Sequence, residues 1–315
     1  MTTIIRRALA LIPTLLGVSL LTFCMMRFAP GDPVKLMLGP EATEESIAAL
    51  RHELGFDRPW FVQYFTYMAG VVRGDMGLSI TTRRPVSEEI FSRLPATAEL
   101  AAAAMFFAIL TSLFTGIVSA VHRGSLFDNA TRLFVFVFLA MPSFWLGLEL
   151  IILMARTLRL FPPAGRGQPW TPAMLSHLVL PALTLGVGTG AFLCRILRSS
   201  MLQTLNQDYI RTARAKGLNT PRVVLKHALK NALIPFITVA GLSTGALLGG
   251  SVIVETVFNW PGVGKLLIDS IKERNFPVTI GAVLIFAVIF VVINTIVDLL
   301  YVILDPRIRL EGGTK

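Results

Sequence analysis

The sequence is poor in charge: Asp, Glu, Lys and Arg make up only 15% of its 315 residues, against about 25% in soluble domains. Cysteine is scarce too. The two present, Cys24 and Cys194, each sit inside an apolar block and read as small buried hydrophobes, not as a disulfide. Four scattered histidines show no HxxxH spacing and there is no CxxC, so no metal site is signalled. Internal repeats and low-complexity stretches are missing as well. The stretch from Asn259 to Leu266 ends Gly-Val-Gly-Lys-Leu, yet a phosphate loop needs glycine in its first position and Ser or Thr after the lysine. No Ser-His-Asp arrangement or flavin fingerprint emerges either. Nothing in the chain points to an enzyme.

What the chain has is apolar length. Hydrophobic residues make up 54% of it, the mean hydropathy is +0.68, and the apolar residues fall in long uninterrupted blocks. A helix needs roughly 20 apolar residues to cross a hydrocarbon core about 30 Å thick. Lipid offers no partner to a free N–H or C=O, so such blocks must be helices. The sequence predicts an all-α membrane protein with six spans, at about 8–26, 98–121, 133–154, 178–197, 233–254 and 279–304. The first block, after Arg6 and Arg7, is too long for a secretion signal, and no clean small-residue cleavage site follows it.

The net charge of +10 concentrates between those blocks, as topology requires, and not in a nucleic-acid patch. Arg6 and Arg7, then Arg123 and Arg132, then Arg198, Arg211, Arg214, Lys216, Arg222, Lys226 and Lys230, then Arg307, Arg309 and Lys315 all fall on one side of six spans. Both termini are therefore expected in the cytoplasm. Residues 27–97 mix basic and acidic residues and form the long external segment. There Thr43-Glu44-Glu45 starts a helix that Leu54-Gly55 ends. Pro59 opens an aromatic helix (Trp60, Phe61, Tyr64, Phe65, Tyr67) suited to packing on span tops or the membrane interface.

The segment 198–232 is the most informative. Asp208 is placed to cap a short helix running to Lys216, with Gly217 as its stop. Asn219-Thr220-Pro221 restarts a helix, with Thr220 as cap and Pro221 in the first turn, that leads into the fifth span. Ala213, Ala215 and Gly217 let a partner approach closely, while Arg211, Arg214 and Lys216 supply charge for steering. A basic loop that only fixes topology or binds anionic lipid is the plain alternative. Capping on both sides of a small-residue helix favours docking.

The stretch Arg211-Thr212-Ala213-Arg214-Ala215-Lys216-Gly217 resembles the EAA loop of ABC-importer permeases, in the version used by the dipeptide/oligopeptide/glutathione/nickel class. Against the general pattern of E-A-A, three residues and Gly, only Ala213 and Gly217 match. The resemblance extends along nearly the whole chain. It includes Pro30-Gly31-Asp32-Pro33, Leu54-Gly55-Phe56-Asp57-Arg58-Pro59, Gly74-Asp75-Met76-Gly77-Leu78-Ser79 and Arg84-Pro85-Val86. Met141-Pro142-Ser143-Phe144-Trp145-Leu146, Phe258-Asn259-Trp260-Pro261-Gly262-Val263-Gly264 and Leu304-Asp305-Pro306-Arg307-Ile308 continue it.

The resemblance implies the type I importer (MetI-like) fold, arranged as an N-terminal segment with the first span (1–26), an external segment (27–97), a five-span core (98–304) carrying the coupling loop 198–232, and a tail (305–315). It implies a second homologous permease, two ATPase subunits and a periplasmic solute-binding protein as partners, in the bacterial inner membrane. No cofactor is expected on this chain; ATP and magnesium belong to the partner ATPases. Residues 208–217 are then the ATPase-coupling element.

Gly186, Gly190, Gly245 and Gly249 allow either close helix packing or room for a solute. Asn294 and Asp298, one turn apart in the last span, face the path, a neighbouring helix, or Arg307 and Arg309. Glu149 in the third span is either a pore-facing acid or a partner for Arg156 or Arg195. An ion-gradient-driven carrier using Asp298 or Glu149 is the rival reading, and a docking loop is what such a carrier does not need.

Overall fold

The computed structural model describes residues 13–25, 33–39, 42–53, 55–168 and 171–304, excepting the side chains of 33, 36, 37 and 298–304. Arg6, Arg7, the Pro30-Gly31-Asp32 stretch, Leu54 and the tail from Asp305 lie outside the described residues, as does the side chain of Asp298. The described elements are helices: α1 Pro13–Met25, α2 Pro33–Leu38, α3 Glu44–Glu53, α4 Trp60–Val72 and α5 Val86–Val121. There follow α6 Leu126–Ala140, α7 Ser143–Thr157, α8 Pro172–Leu205, α9 Asp208–Ala215, α10 Thr220–Val257, α11 Val263–Lys272 and α12 Phe276–Leu304.

Four of these, α5, α8, α10 and α12, are long and apolar enough to cross a membrane, and α6 with α7 makes a fifth if the bent pair is one span. The six predicted spans are thus met by four or five. The block at 8–26 is described only as the shorter apolar helix α1. The block at 133–154 is not one rod. Met141 and Pro142 are extended, with ψ of 126° and 134°, and the helix axis bends by 107° between the two arms. Pro142 has no N–H to continue the ladder, and its ring drives Met141 out of the helical region.

The other spans exceed their predicted lengths. Helix α5 has 36 residues and α8 has 34, about 50 Å each at 1.5 Å per residue. Glu88 and Glu89 sit in the first turn of α5, where carboxylates meet the positive end of the helix dipole. Pro95 and Pro181 are carried inside α5 and α8 without ending them.

The chain divides into two compact units, Met1–Thr97 with Pro261–Val291, and Ala98–Trp260 with Val292–Lys315. In the first, Met76, Val86, Ile90, Val263, Leu266, Val278 and Ala282 form a buried apolar core. Asn275 ties it together: its amide donates to Ser79 Oγ at 2.8 Å and its carbonyl accepts from the Ile80 N–H at 3.1 Å. Thr43 Oγ1 caps α3 by accepting from the Ser46 N–H at 3.3 Å. Tyr64 of α4 is buried, within 2.8 Å of Ser19 Oγ and edge-on to Phe23 of α1. The aromatic helix therefore packs at Tyr64, while Trp60, Phe61 and Phe65 stay exposed.

In the second unit, α8 is the central helix. Its buried positions run from Leu180 through Leu185, Ala191, Leu193, Cys194 and Leu197 to Met201. It packs against α6, α7 and α10. On α6, Val135 and Phe138 meet Ala191 and Cys194 of α8.

Candidate functional site

The site is α9, joined to α8 by Asn206 and Gln207 and to α10 by residues 216–219. The helix starts at Asp208, but Asp208 is not its cap. Gln207 holds the cap position in extended conformation and makes no side-chain cap bond. Asp208 is the first helical residue, and its carboxylate faces the positive end of the dipole. It lies 3.4 Å from Arg211 Nη1, and both side chains are largely exposed, a pair worth little in water.

Helical periodicity divides α9 in two. Ile210 and Ala213, three residues apart, are buried, whereas Arg211, Thr212, Arg214 and Ala215 are exposed, as are Lys216 and Gly217 beyond the helix end. The buried side packs on the first wide turns of α10, where Val223, Val224 and Ala228 are also buried. Residues 223–228 are wound as a π-helix, a form found often at functional sites. A hydrogen bond of 2.8 Å from Asn231 Nδ2 to Tyr209 Oη ties α9 to α10 a second time.

Both ends of the linker are built by local chemistry. Gly217 has φ +78°; its N–H donates to the Arg214 carbonyl at 2.9 Å and that of Leu218 to Ala213 at 3.4 Å. This is the left-handed stop that a glycine supplies without strain. The helix ends at Ala215, with Lys216 as its C-cap instead of its last residue. The restart is capped by Asn219, one residue before the expected Thr220: Asn219 Oδ1 accepts from the Arg222 N–H at 3.2 Å. Asparagine caps at least as well as threonine and here precedes the proline-containing turn.

The remaining candidates are dispersed. At Gly186 a β-carbon would lie 2.7 Å from the Ala104 carbonyl oxygen, and at Gly190 it would lie 2.8 Å from Thr111 Oγ1. These two glycines serve close packing of α8 on α5. Gly245 is buried in α10, Gly249 is exposed with open space around it, and Asn294 is half-buried in α12. Glu149 is exposed on α7, and neither Arg156 nor Arg195 pairs with it among the described residues. Two apolar recesses flank these helices. One of about 540 Å³ sits at the α6–α7 bend against Phe136, Met141, Phe144 and Trp145. The other, of about 370 Å³, is lined by Met105, Phe236, Gly241 and Val297 among others.

Sequence reasoning missed the ionic contacts, Arg166 with Glu99 at 2.6 Å and a more deeply buried one among them. Arg198, read there only as a topology charge, donates to Asp128 through Nε at 2.7 Å and Nη2 at 2.8 Å. A signal was available: Ser125 and Asp128 stand in the spacing of a helix-capping box, and Ser125 Oγ does accept from the Asp128 N–H.

The family described as "Binding-protein-dependent transport system inner membrane component" matches residues 112–310, and its N-terminal companion matches residues 1–101. The chain is 44% identical to the di/tripeptide transport system permease protein DppB of Pseudomonas aeruginosa, over 97% of this chain and 98% of that protein. It is 42% identical to the dipeptide transport system permease protein DppB of Escherichia coli K12, with the same coverage. To the glutathione transport system permease protein GsiC of Escherichia coli O6:H1 it is 43% identical, again over 97% and 98%. Among solved structures, an inward-facing MetNI methionine ABC transporter chain superimposes with a TM-score of 0.58 at 18% identity, covering 68% of this chain and 95% of that one. At that identity the likeness speaks for the fold alone.

Proposed function

The chain belongs to the binding-protein-dependent transport system inner membrane components, and from that premise we propose that it is the permease subunit of an ATP-driven ABC importer for di- or oligopeptides. It works with a second, homologous permease, two ATPase subunits and a solute-binding protein outside the membrane. Both termini and α9 lie on the cytoplasmic side. ATP is hydrolysed by the ATPases, with their magnesium, and this chain supplies path and coupling.

The observation that carries the coupling role is the two-sided build of α9. Ile210 and Ala213 anchor it, and Arg211, Arg214 and Lys216 stand out from it. A short helix held by its neighbours transmits displacement instead of absorbing it. When the ATPases close on nucleotide, they push α9. The two-residue link to α8 and the Asn231–Tyr209 bond to α10 carry the push into both long helices. Two recesses of this chain are lined mainly by apolar side chains, a poor match for peptide amides and charges, which supports a path formed between two permeases. Relatives named for dipeptides and for glutathione share the amide-bonded cargo class, and the binding protein selects within it.

The test is uptake of a labelled dipeptide by vesicles containing the full complex with its binding protein. Uptake should require ATP inside the compartment that holds the ATPases and should survive collapse of the proton gradient. Glu149, exposed and with no ion-pair partner among the described residues, favours one rival, a carrier driven by an ion gradient. Uptake without ATPases that stops when the gradient is collapsed would establish that rival.

A further inference from the structure

Helices α5 and α8 meet along a row of small residues at four-residue spacing. Gly186 lies against Ala104, and Gly190 lies against Ala108 and Thr111. Thr115 Oγ1 then donates to Cys194 Sγ at 3.2 Å. At Gly116 a β-carbon would stand 3.2 Å from Leu197 Cβ and 3.3 Å from the Cys194 carbonyl. The row ends at Arg198, whose Nε reaches Ser119 Oγ at 2.9 Å. Positions 186, 190, 194 and 198 follow one face of α8, and 104, 108, 115 and 119 follow one face of α5. Close backbone approach is the usual way helices hold together in lipid.

An ion pair closes this row. The Asp128 carboxylate, at the start of α6, is 1% exposed, and the Arg198 side chain is 20% exposed. Arg198 binds it with two parallel prongs of 2.7 and 2.8 Å. Ser119 Oγ also donates to Asp128, and the Gly124 N–H donates to its second oxygen at 2.9 Å. Arg132 approaches to 3.8 Å from the solvent side. A buried carboxylate with four donors, two from a planar guanidinium, is strongly directional. It joins α5, the α5–α6 turn, α6 and α8 at one point. That point is ten residues before Asp208 on the arm that ends at α9.

We propose that Asp128 and Arg198 are positioning residues that lock α8 to the α5–α6 hairpin throughout the transport cycle, so that displacement of α9 moves three helices as one body. The inference rests on the importer reading given above. Without the clamp, α8 would slide on its small-residue track and the push on α9 would be lost before reaching α5. Arg198 touches no cargo in this role; it acts through the helix it fixes.

The experiment uses the full complex in vesicles and reads ATP hydrolysed per dipeptide taken up. Asp128→Asn keeps size and shape but removes the charge. It should cut uptake by about tenfold while hydrolysis persists, raising the ratio by a similar factor. In a Cys24→Ser background, Thr115→Cys faces the resident Cys194 across the same contact, close enough for a disulfide. Oxidation should leave uptake unchanged when Asp128 is present and should restore uptake when Asp128→Asn is also present. Three results would overturn the proposal: a wild-type ratio in Asp128→Asn, loss of uptake on oxidising Thr115→Cys alone, or no rescue of Asp128→Asn by oxidation. If Asp128→Asn fails to assemble, oxidised Thr115→Cys decides alone, because a clamp that must open cannot work when bridged. Wild-type vesicles that show no ATP-dependent uptake would instead bring down the importer reading itself.

Discussion

The α5–α8 contact and helix α9 are built from the same small residues put to opposite uses. Along α8, Gly186 and Gly190 bring two backbones together, and nothing larger fits. Around α9, Ala215 and Gly217 are exposed, and a β-carbon at Gly217 would meet nothing within 4 Å. A small residue between helices is a packing device, whereas one on a basic, solvent-facing helix end leaves open room, which under the proposed coupling role another protein fills. Sequence spacing alone does not separate the two uses; what lies opposite does.

The largest effect that comparison predicts is at the packed end. Gly190→Leu drives a side chain into Thr111 and Ala108, and overpacking of this kind costs about 1–3 kcal/mol or more. The yield of folded, detergent-stable protein should fall steeply, as read by its elution profile and melting temperature. At the open end, Gly217→Asp meets no clash but forces an L-residue into φ +78°, a cost of about 1–2 kcal/mol, and sets an acid beside the basic face. Insertion and assembly should persist while uptake falls by about tenfold. A well-packed complex with wild-type uptake would break the distinction. The smallest effect belongs to charge. Arg211→Ala with Arg214→Ala should slow association with the ATPases severalfold at low salt and much less near 1 M, where the screening length is only about 3 Å.

Legibility followed physical range. The helix, its glycine stop and its restart were readable because caps and stops are chemistry between residues a few positions apart. The errors there were single-residue shifts: Gln207 for Asp208, and Asn219 for Thr220. Four or five of the six span positions are readable from hydropathy, yet hydropathy does not report the 107° bend at Met141-Pro142. A proline announces that a helix is disturbed, and the angle is set by what the two arms pack against. Asp128–Arg198 joins residues 70 positions apart, and no periodicity reports such a meeting. Gly186 and Gly190 were readable as small, but not as facing Ala104 and Ala108. The side that α9 faces rests on the lysine and arginine distribution alone.

A cysteine at position 215 tests the account most directly. Ala215 is exposed next to the glycine stop, so Ala215→Cys should crosslink to an ATPase subunit in the assembled transporter. In intact cells it should resist a membrane-impermeant thiol reagent until the cytoplasmic side is opened. Labelling of that cysteine from outside intact cells, or crosslinking to the solute-binding protein, would contradict it.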